Sequence, residues 1–468
     1  MSQTITISPV TRIEGHARIS IQLDDSGQVD QARLQVQEFR GFEAFCVGRP
    51  FWEMPAITAR ICGICPVSHA LAAAQAGERI LGLELPPAAR RLRSLLSLAQ
   101  LILSHSLSFF HLSAPDIVLG LDSDPAERNI VGLARHRPEI IRKGIRLRQI
   151  GQEIVNRVGG GNLHPEHIVA GGMLNPLQEE GRDTIAVLLP EAMGLVQFAM
   201  SVWEDCSERF LSEMGYYGAF PGLSLGLVGQ DGILDHLAGS LRFMDEAGEI
   251  VRESAPDAHD NVIRETVARD SYMKPTECTV GNTSLYRVGP LARLKIAPFG
   301  DAPQAELARR DFLDSALSSG SMGYHKARLI EMLYAVERMS KLLDEPTICD
   351  PHVLARGGVN NPEGVGVTEA PRGTLIHHYR VDQHGLLTGV NLIVATGHNS
   401  RAMDRTITDI ARLHIRGDKL TEGLLNRVEH GIRLYDPCLS CATHLHGRMG
   451  VKVELLSPDG KVLDSAAV

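Results

Sequence analysis

The chain has 468 residues, 44% hydrophobic, 22% charged and only 5% aromatic, the composition of a globular protein large enough to bury a substantial core. A formal net charge of −9 argues against nucleic acid or an anionic membrane surface as its partner. Met1 leads into Ser-Gln-Thr-Ile-Thr-Ile, with neither the basic start nor the apolar run of a secretion signal, so a cytoplasmic location is expected.

Alternation over 17–23, answered by 32–38 across Asp24-Asp-Ser-Gly-Gln28, predicts a strand hairpin. From about Val67 the period turns helical. Residues 70–81 are rich in alanine and leucine, Pro86-Pro87 punctuates, and 88–112 has the leucine periodicity of a long buried helix. Its most apolar part, 95–112, carries His105, His111 and several serines, and reads as too short and too polar to span a bilayer. Further helices are expected at 137–157, 178–213, 303–342, 400–415 and 420–433, with Gly159-Gly-Gly-Asn162 and Gly171-Gly172 separating the first two. Strand patterns return at 375–381, 387–394 and 451–456, while Gly357-Gly358 and Gly364-x-Gly366 read as loop. No internal repeat, low-complexity linker or block of like charge divides the chain. The expected fold is mainly α with small β-sheets (α+β), a long-helix core with strands at its edges. One unit is expected over 1–444: a β segment about 1–40, a helical core about 50–345 and an α/β segment about 350–444, followed by an extension at 445–468.

Half of the eight cysteines sit in two C-x-x-C pairs near opposite ends: Cys62 and Cys65 in Arg60-Ile-Cys-Gly-Ile-Cys-Pro-Val-Ser-His69, and Cys438 and Cys441 in Asp436-Pro-Cys-Leu-Ser-Cys-Ala-Thr-His444. Thiolates at this spacing suit structural zinc, a catalytic iron, nickel or copper site, or a redox disulfide, and the spacing alone leaves all three open. A compact zinc ribbon would place its pairs roughly 15–20 residues apart. Here nearly the whole chain intervenes, so a shared site requires the two ends to meet.

The surroundings narrow the choice. Thr11-Arg-Ile-Glu-Gly-His16, Phe39-Arg-Gly-Phe-Glu43, the two cysteine motifs, Gly161-Asn-Leu-His-Pro165 with Gly171-Gly172, Ala370-Pro-Arg-Gly373 and Asn391-Leu-Ile-Val-Ala-Thr-Gly-His-Asn399 together resemble the large subunit of nickel–iron hydrogenases, in order and over essentially the whole chain. The resemblance implies heterolytic splitting of dihydrogen. Cys62 and Cys438 would be terminal thiolates on nickel, and Cys65 and Cys441 would bridge nickel to an iron carrying carbon monoxide and cyanide. It also implies Glu14 as the carboxyl that takes the proton onward, and Arg372 hanging over the metals with Asp116 holding it. Pro371 and Thr396 would line the diatomic ligands, and His69 would donate to a bridging sulfur. Glu43, nineteen positions before Cys62, would bind magnesium together with the Leu392 carbonyl and His444. Read singly, these residues have plainer roles: Glu14 opens a strand, Arg372 and Asp116 form a buried ion pair, His69 sits on a core helix face and Glu43 pairs with Arg40.

Ser108 departs from a histidine of the best-known members, and Ala395 and Gly397-His398 replace a proline and a Thr-Trp pair. These departures make the chain more similar to the cytoplasmic, bidirectional NAD-linked branch than to periplasmic uptake enzymes. The 24 residues after His444 match an extension that a maturation endopeptidase removes in this family. No other cysteine grouping resembles an iron–sulfur ligand set, and no G-x-G-x-x-G fingerprint stands in strand-to-helix context. Electrons are therefore expected to leave through an iron–sulfur small subunit, with flavin and NAD on further diaphorase subunits. A hydrogen-sensing relative, another cytoplasmic acceptor, and a quinone-reducing subunit of the respiratory complex I type (a group without the paired cysteines) are the alternatives.

Overall fold

A computed structural model describes residues 4–210, 217–268, 270–415 and 420–443, together with the backbone of 452–456 and 462–467. The alternating start of the chain forms an antiparallel sheet in the order β1 (Thr4–Ile7), β2 (Ala17–Leu23), β3 (Val29–Val36). Ala17 faces Val36 in register, so Ile19, Ile21 and Leu34 enter the core together. The turn between β2 and β3 closes because Asp24 Oδ1 accepts the Ser26 and Gln28 amides at 2.8 and 2.9 Å.

The helical core begins with α1 (Pro66–Leu81), whose proline occupies the first turn, where no intrahelical donor is needed. Next comes α2 (Pro87–Ser106). Where one continuous α-helix to residue 112 is predicted, α2 passes at Leu107–Ser113 into a π-helical turn and then into the short helix Ala114–Leu119. The π turn re-phases the helix ahead of Asp116. α3 (Pro138–Gly159) and α4 (Glu179–Ser207) follow, then α5 (Gly323–Leu343). α2 packs against α3 and α5, and α4 against the same two, so four long helices enclose the apolar core. The helix expected at 303–342 is in fact Pro303–Leu313, a 3₁₀ turn at Ala316–Ser319, and α5. The break falls where the Ser315 hydroxyl donates to the Phe312 carbonyl at 2.6 Å, a local bond that competes with helix continuation.

Within the segment expected to be helical lies a four-stranded sheet that periodicity does not reveal. It comprises β4 (Leu223–Val228), β5 (Ser240–Met244) and β6 (Ile250–Ser254), with Tyr286–Arg287 pairing parallel to β4. β4 is buried at every residue, so Leu-Ser-Leu-Gly-Leu-Val carries no alternation to read. A second antiparallel sheet, β7 (Glu363–Ala370), β8 (Gly373–Val381) and β9 (Leu387–Ile393), carries the site. Gly364 and Gly366, read from sequence as loop, lie in β7. A Cβ at Gly366 would stand 2.0 Å from the Ala72 carbonyl oxygen, so this strand is glycine-rich because α1 lies directly on it. α6 (Ser400–His414) and α7 (Glu422–Arg433) close the far side, and Lys452–Leu456 pairs antiparallel with Val462–Ala467.

Two helical spans, Pro87–Leu119 and Glu179–Phe210, have the length and apolarity to cross a membrane. The first is a core helix, 83% of its apolar window buried; the second packs against α3 and α5 on one side only, with 33% of its window buried. One apolar core includes Ile7 at one end of the chain and Ala442 at the other. The ends meet.

Candidate metal centre

Both cysteine pairs lie at the start of a helix, the first after a run of turns and the second after an extended Cys438. Cys65 caps α1, and Cys438 caps the short helix Leu439–Ala442. This places all four sulfurs within 4.8 Å of one another. Cys62 Sγ is 3.2 Å from Cys438 Sγ, Cys65 Sγ is 3.4 Å from Cys441 Sγ, and Cys438 and Cys441 are 2.9 Å apart. All are free and buried, far beyond the covalent S–S length of about 2.05 Å. Mutual hydrogen bonds from Cys438, Cys441 and Cys62 outweigh burial and hold Cys65 well below an ordinary thiol, while burial pushes Cys438 and Cys441 well above it. Four sulfurs this close cannot all ionise without a cation between them, which is the donor set of a soft transition metal.

Around the sulfurs, Ala370 pairs with Gly373, so Pro371-Arg372 forms a two-residue turn between β7 and β8 that aims Arg372 at the cluster. Gly373 takes φ 137°, and a side chain there would strike Val288. Arg372 Nε donates to the Asp436 carbonyl at 2.5 Å, Nη2 to Asp436 Oδ1 at 3.1 Å and Nη1 to Ser104 Oγ at 3.4 Å. Burial opposes its charge, but Asp436 and then Cys438, Cys65 and Cys62 outweigh that and fix the guanidinium in its charged form. Asp116 does not hold Arg372. It binds Arg12 at 2.6 Å and Arg433 at 3.0 Å, with Arg128 at 3.6 Å. The expected partner is displaced because the π turn and the short helix after it aim Asp116 at the N-terminal segment, whereas Asp436 directly precedes the Pro437-Cys438 step.

Thr396 Oγ1 accepts the Cys438 amide at 2.9 Å, and His69 Nε2 lies 3.3 Å from Cys441 Sγ. Pro371, Arg372, Thr396 and His69 line a cavity of about 20 Å³ with Cys65, Cys438 and Cys441, room for little more than one water-sized molecule. Glu14 pairs with Cys438 through a parallel backbone bridge, and the Leu439 amide donates to its carbonyl at 3.2 Å. Its half-buried carboxylate accepts the Ser440 amide at 2.9 Å and the Ser440 hydroxyl.

Glu43 is buried and reaches β9, where Leu392 N–H donates to Oε1 at 2.8 Å. The same oxygen takes the Lys274 ammonium at 2.6 Å, and Lys274 also meets Glu265 at 2.7 Å. Burial raises the Glu43 carboxyl more than Lys274 lowers it. Arg40, its plainer expected partner, donates instead to the Ile61 carbonyl. His444 lies outside the described residues. Sequence reasoning missed Lys274 and Ser104, which carry no motif. It also missed the part played by Asp436, although that residue stands inside the second cysteine motif.

The fold and the site define a protein of the metal-binding class, in which four buried cysteine sulfurs from distant parts of the chain converge beneath an arginine as the donor set for a soft metal. Profile comparison names the family: residues 40–130 and 271–444 match Nickel-dependent hydrogenase, and residues 4–39 match a HoxL-like segment. The chain is 38% identical to NAD-reducing hydrogenase HoxS subunit beta of Cupriavidus necator over 491 aligned residues, covering all of both chains. It is 40% identical to one subunit of the F420-non-reducing hydrogenase vhu of Methanococcus voltae, over 87% of this chain and 98% of that one. Among solved structures, an NAD⁺-reducing [NiFe]-hydrogenase in the H₂-reduced state superposes with a TM-score of 0.91 at 42% identity, over 94% of this chain and 99% of that one. The Ni-Fe-Se hydrogenase of D. vulgaris Hildenborough gives 0.76 at 25% identity, over 95% of this chain and all of that one. The chain belongs to the nickel-dependent hydrogenase large-subunit family.

Proposed function

We propose that this chain is the catalytic subunit of a cytoplasmic hydrogenase that interconverts dihydrogen with protons and electrons and passes the electrons to NAD⁺. The observation that carries the reading is the buried four-sulfur cluster built from both ends of the chain, set in a fold shared with an NAD⁺-reducing [NiFe]-hydrogenase. Cys62 and Cys438 would hold nickel, and Cys65 and Cys441 would share it with an iron bearing carbon monoxide and cyanide. Bound there, the metals supply an electron-rich centre that polarises and splits H₂. The chain's own groups do the rest. Arg372, kept charged by Asp436, offers a positive edge beside the sulfurs, and Pro371 and Thr396 line the small cavity in which the diatomic ligands would sit away from water. Glu14, whose backbone pairs with Cys438 and whose carboxylate accepts the Ser440 amide and hydroxyl, is the group assigned to take a proton onward from the sulfurs.

The reading extends to an iron–sulfur small subunit, flavin-bearing diaphorase subunits, and an endopeptidase that cuts after His444. A magnesium ion at Glu43, the Leu392 carbonyl and His444 belongs to it as well. Glu43 Oε1 holds the Lys274 ammonium at 2.6 Å and the Leu392 N–H at 2.8 Å, so a magnesium ion would have to displace Lys274 from it. The alternative reading, a hydrogenase with another cytoplasmic acceptor, stands beside the 40% identity to the F420-non-reducing hydrogenase, whose name excludes F420 and identifies no other acceptor. H₂-dependent reduction of NAD⁺ by the purified complex separates the two. Metal analysis with infrared spectroscopy tests the core reading: nickel, iron and CO and CN bands are expected, and zinc alone would refute it. Mass measurement of active enzyme ending after His444 supports the cleavage, and an intact Val468 refutes it.

A further inference from the structure

His69 does not stand alone beside Cys441. Its other ring nitrogen, Nδ1, lies 3.2 Å from His377 Nε2, and His377 Nδ1 lies 2.6 Å from the Tyr379 hydroxyl. His377 and Tyr379 are alternate residues of β8 and so project from the same face of the sheet, towards α1, which carries His69. The three side chains are 1%, 0% and 0% exposed.

A neutral imidazole has one donor and one acceptor, so a row of two histidines and a phenol can run in only two directions. A metal-bound thiolate accepts and cannot donate. With Cys441 in that state, His69 Nε2 must carry the hydrogen, which leaves Nδ1 an acceptor. His377 must then donate from Nε2, and its Nδ1 must accept from the Tyr379 hydroxyl. Burial holds the Tyr379 phenol well above its ordinary range, so it remains a donor. Beyond the row Tyr379 faces Thr58 and Cys46, both 0% exposed, and the Thr58 hydroxyl donates to the Met54 carbonyl at 2.7 Å. Among the described residues, the groups that Tyr379 faces are as buried as the row itself.

We propose that Tyr379 and His377 are positioning residues that lock His69 in the tautomer donating to the Cys441 sulfur, and so set how much charge that sulfur gives the metals. The proposal rests on reading Cys441 as a metal-bound thiolate. A sulfur that loses its hydrogen bond donates more charge to iron, and iron in turn weakens its CO bond.

The test is infrared spectroscopy of the purified holoenzyme complex, with nickel and iron content measured alongside, for wild type, Tyr379→Phe, His377→Ala and His69→Ala. Tyr379→Phe removes one oxygen and keeps the packing. It is expected to retain both metals and to move the CO band to lower wavenumber, as His377→Ala does, with His69→Ala moving it furthest. CO bands of Tyr379→Phe and His377→Ala coincident with wild type, while His69→Ala shifts, would overturn the lock and leave the hydrogenase reading intact. So would a shift to higher wavenumber, or loss of metal from Tyr379→Phe, which would assign Tyr379 to assembly. A wild-type complex with no CO or CN band and no nickel would overturn the underlying reading and the lock together.

Discussion

Replacing Asp116 by alanine removes the one carboxylate that Arg12, Arg433 and Arg128 share at 2.6, 3.0 and 3.6 Å, in a place where its side chain is 0% exposed. Surface ion pairs are worth about 0–1 kcal/mol, but stripping one partner from a buried pair leaves uncompensated charge and costs about 3–5 kcal/mol. Against a typical net stability of about 5–15 kcal/mol, that is a large fraction. Arg433 also donates to the Thr11 carbonyl at 3.1 Å, and the Thr11 amide donates to Glu429 at 3.0 Å, so the cluster pins residues 11–12 against α7, two positions from Glu14. Asp116→Ala should therefore lower the urea midpoint and slow H/D exchange by displacing Glu14. It should leave the CO and CN bands in place, because Arg372 is held by Asp436 and Ser104. A double-mutant cycle with Arg12→Ala should show coupling of about 0.5–3 kcal/mol. A loss below about 1 kcal/mol, or shifted bands, would refute the assignment of Asp116 to the N-terminal clamp.

Glu14→Gln keeps both oxygen-side contacts to Ser440 in part but cannot take a proton; it should hold nickel and iron and lose H/D exchange, and wild-type turnover would reject its role. Cys438→Ser replaces the sulfur closest to a second thiol, 2.9 Å from Cys441, and should abolish nickel retention in metal analysis; normal nickel would remove Cys438 from the ligand set. Stability should fall on acidification. Burial lowers His105 and His236 to about 4 and His398 and His430 to about 3, so the unfolded chain binds protons below about 6.5 while the folded one does not. That contribution is complete above about 6.5 and is lost as pH drops through 4 towards 3; Asp404, which burial raises to about 7, acts in the opposite sense over this range, but four histidines outweigh one carboxyl, so a urea midpoint that rises from pH 7 to pH 5 would contradict it.

What the sequence determined by itself was local or motif-borne. The N-terminal hairpin, the long helices and the cysteine pairs announce themselves because alternation, 3.6-residue periodicity and C-x-x-C spacing are properties of neighbours. Residue identity also carried the family, since the motifs around Cys62 and Cys438 match over the whole chain. The all-buried strand β4 and the glycine-rich strand β7 stayed hidden, because burial on both faces and contact with α1 erase the pattern that would mark a strand. Long-range pairing was decided only in three dimensions. That Arg372 turns to Asp436 and not Asp116, that Lys274 reaches Glu43, and that His377 and Tyr379 stand behind His69 depend on the π turn after α2 and on the register of β7 to β9, geometry that no run of neighbouring residues encodes.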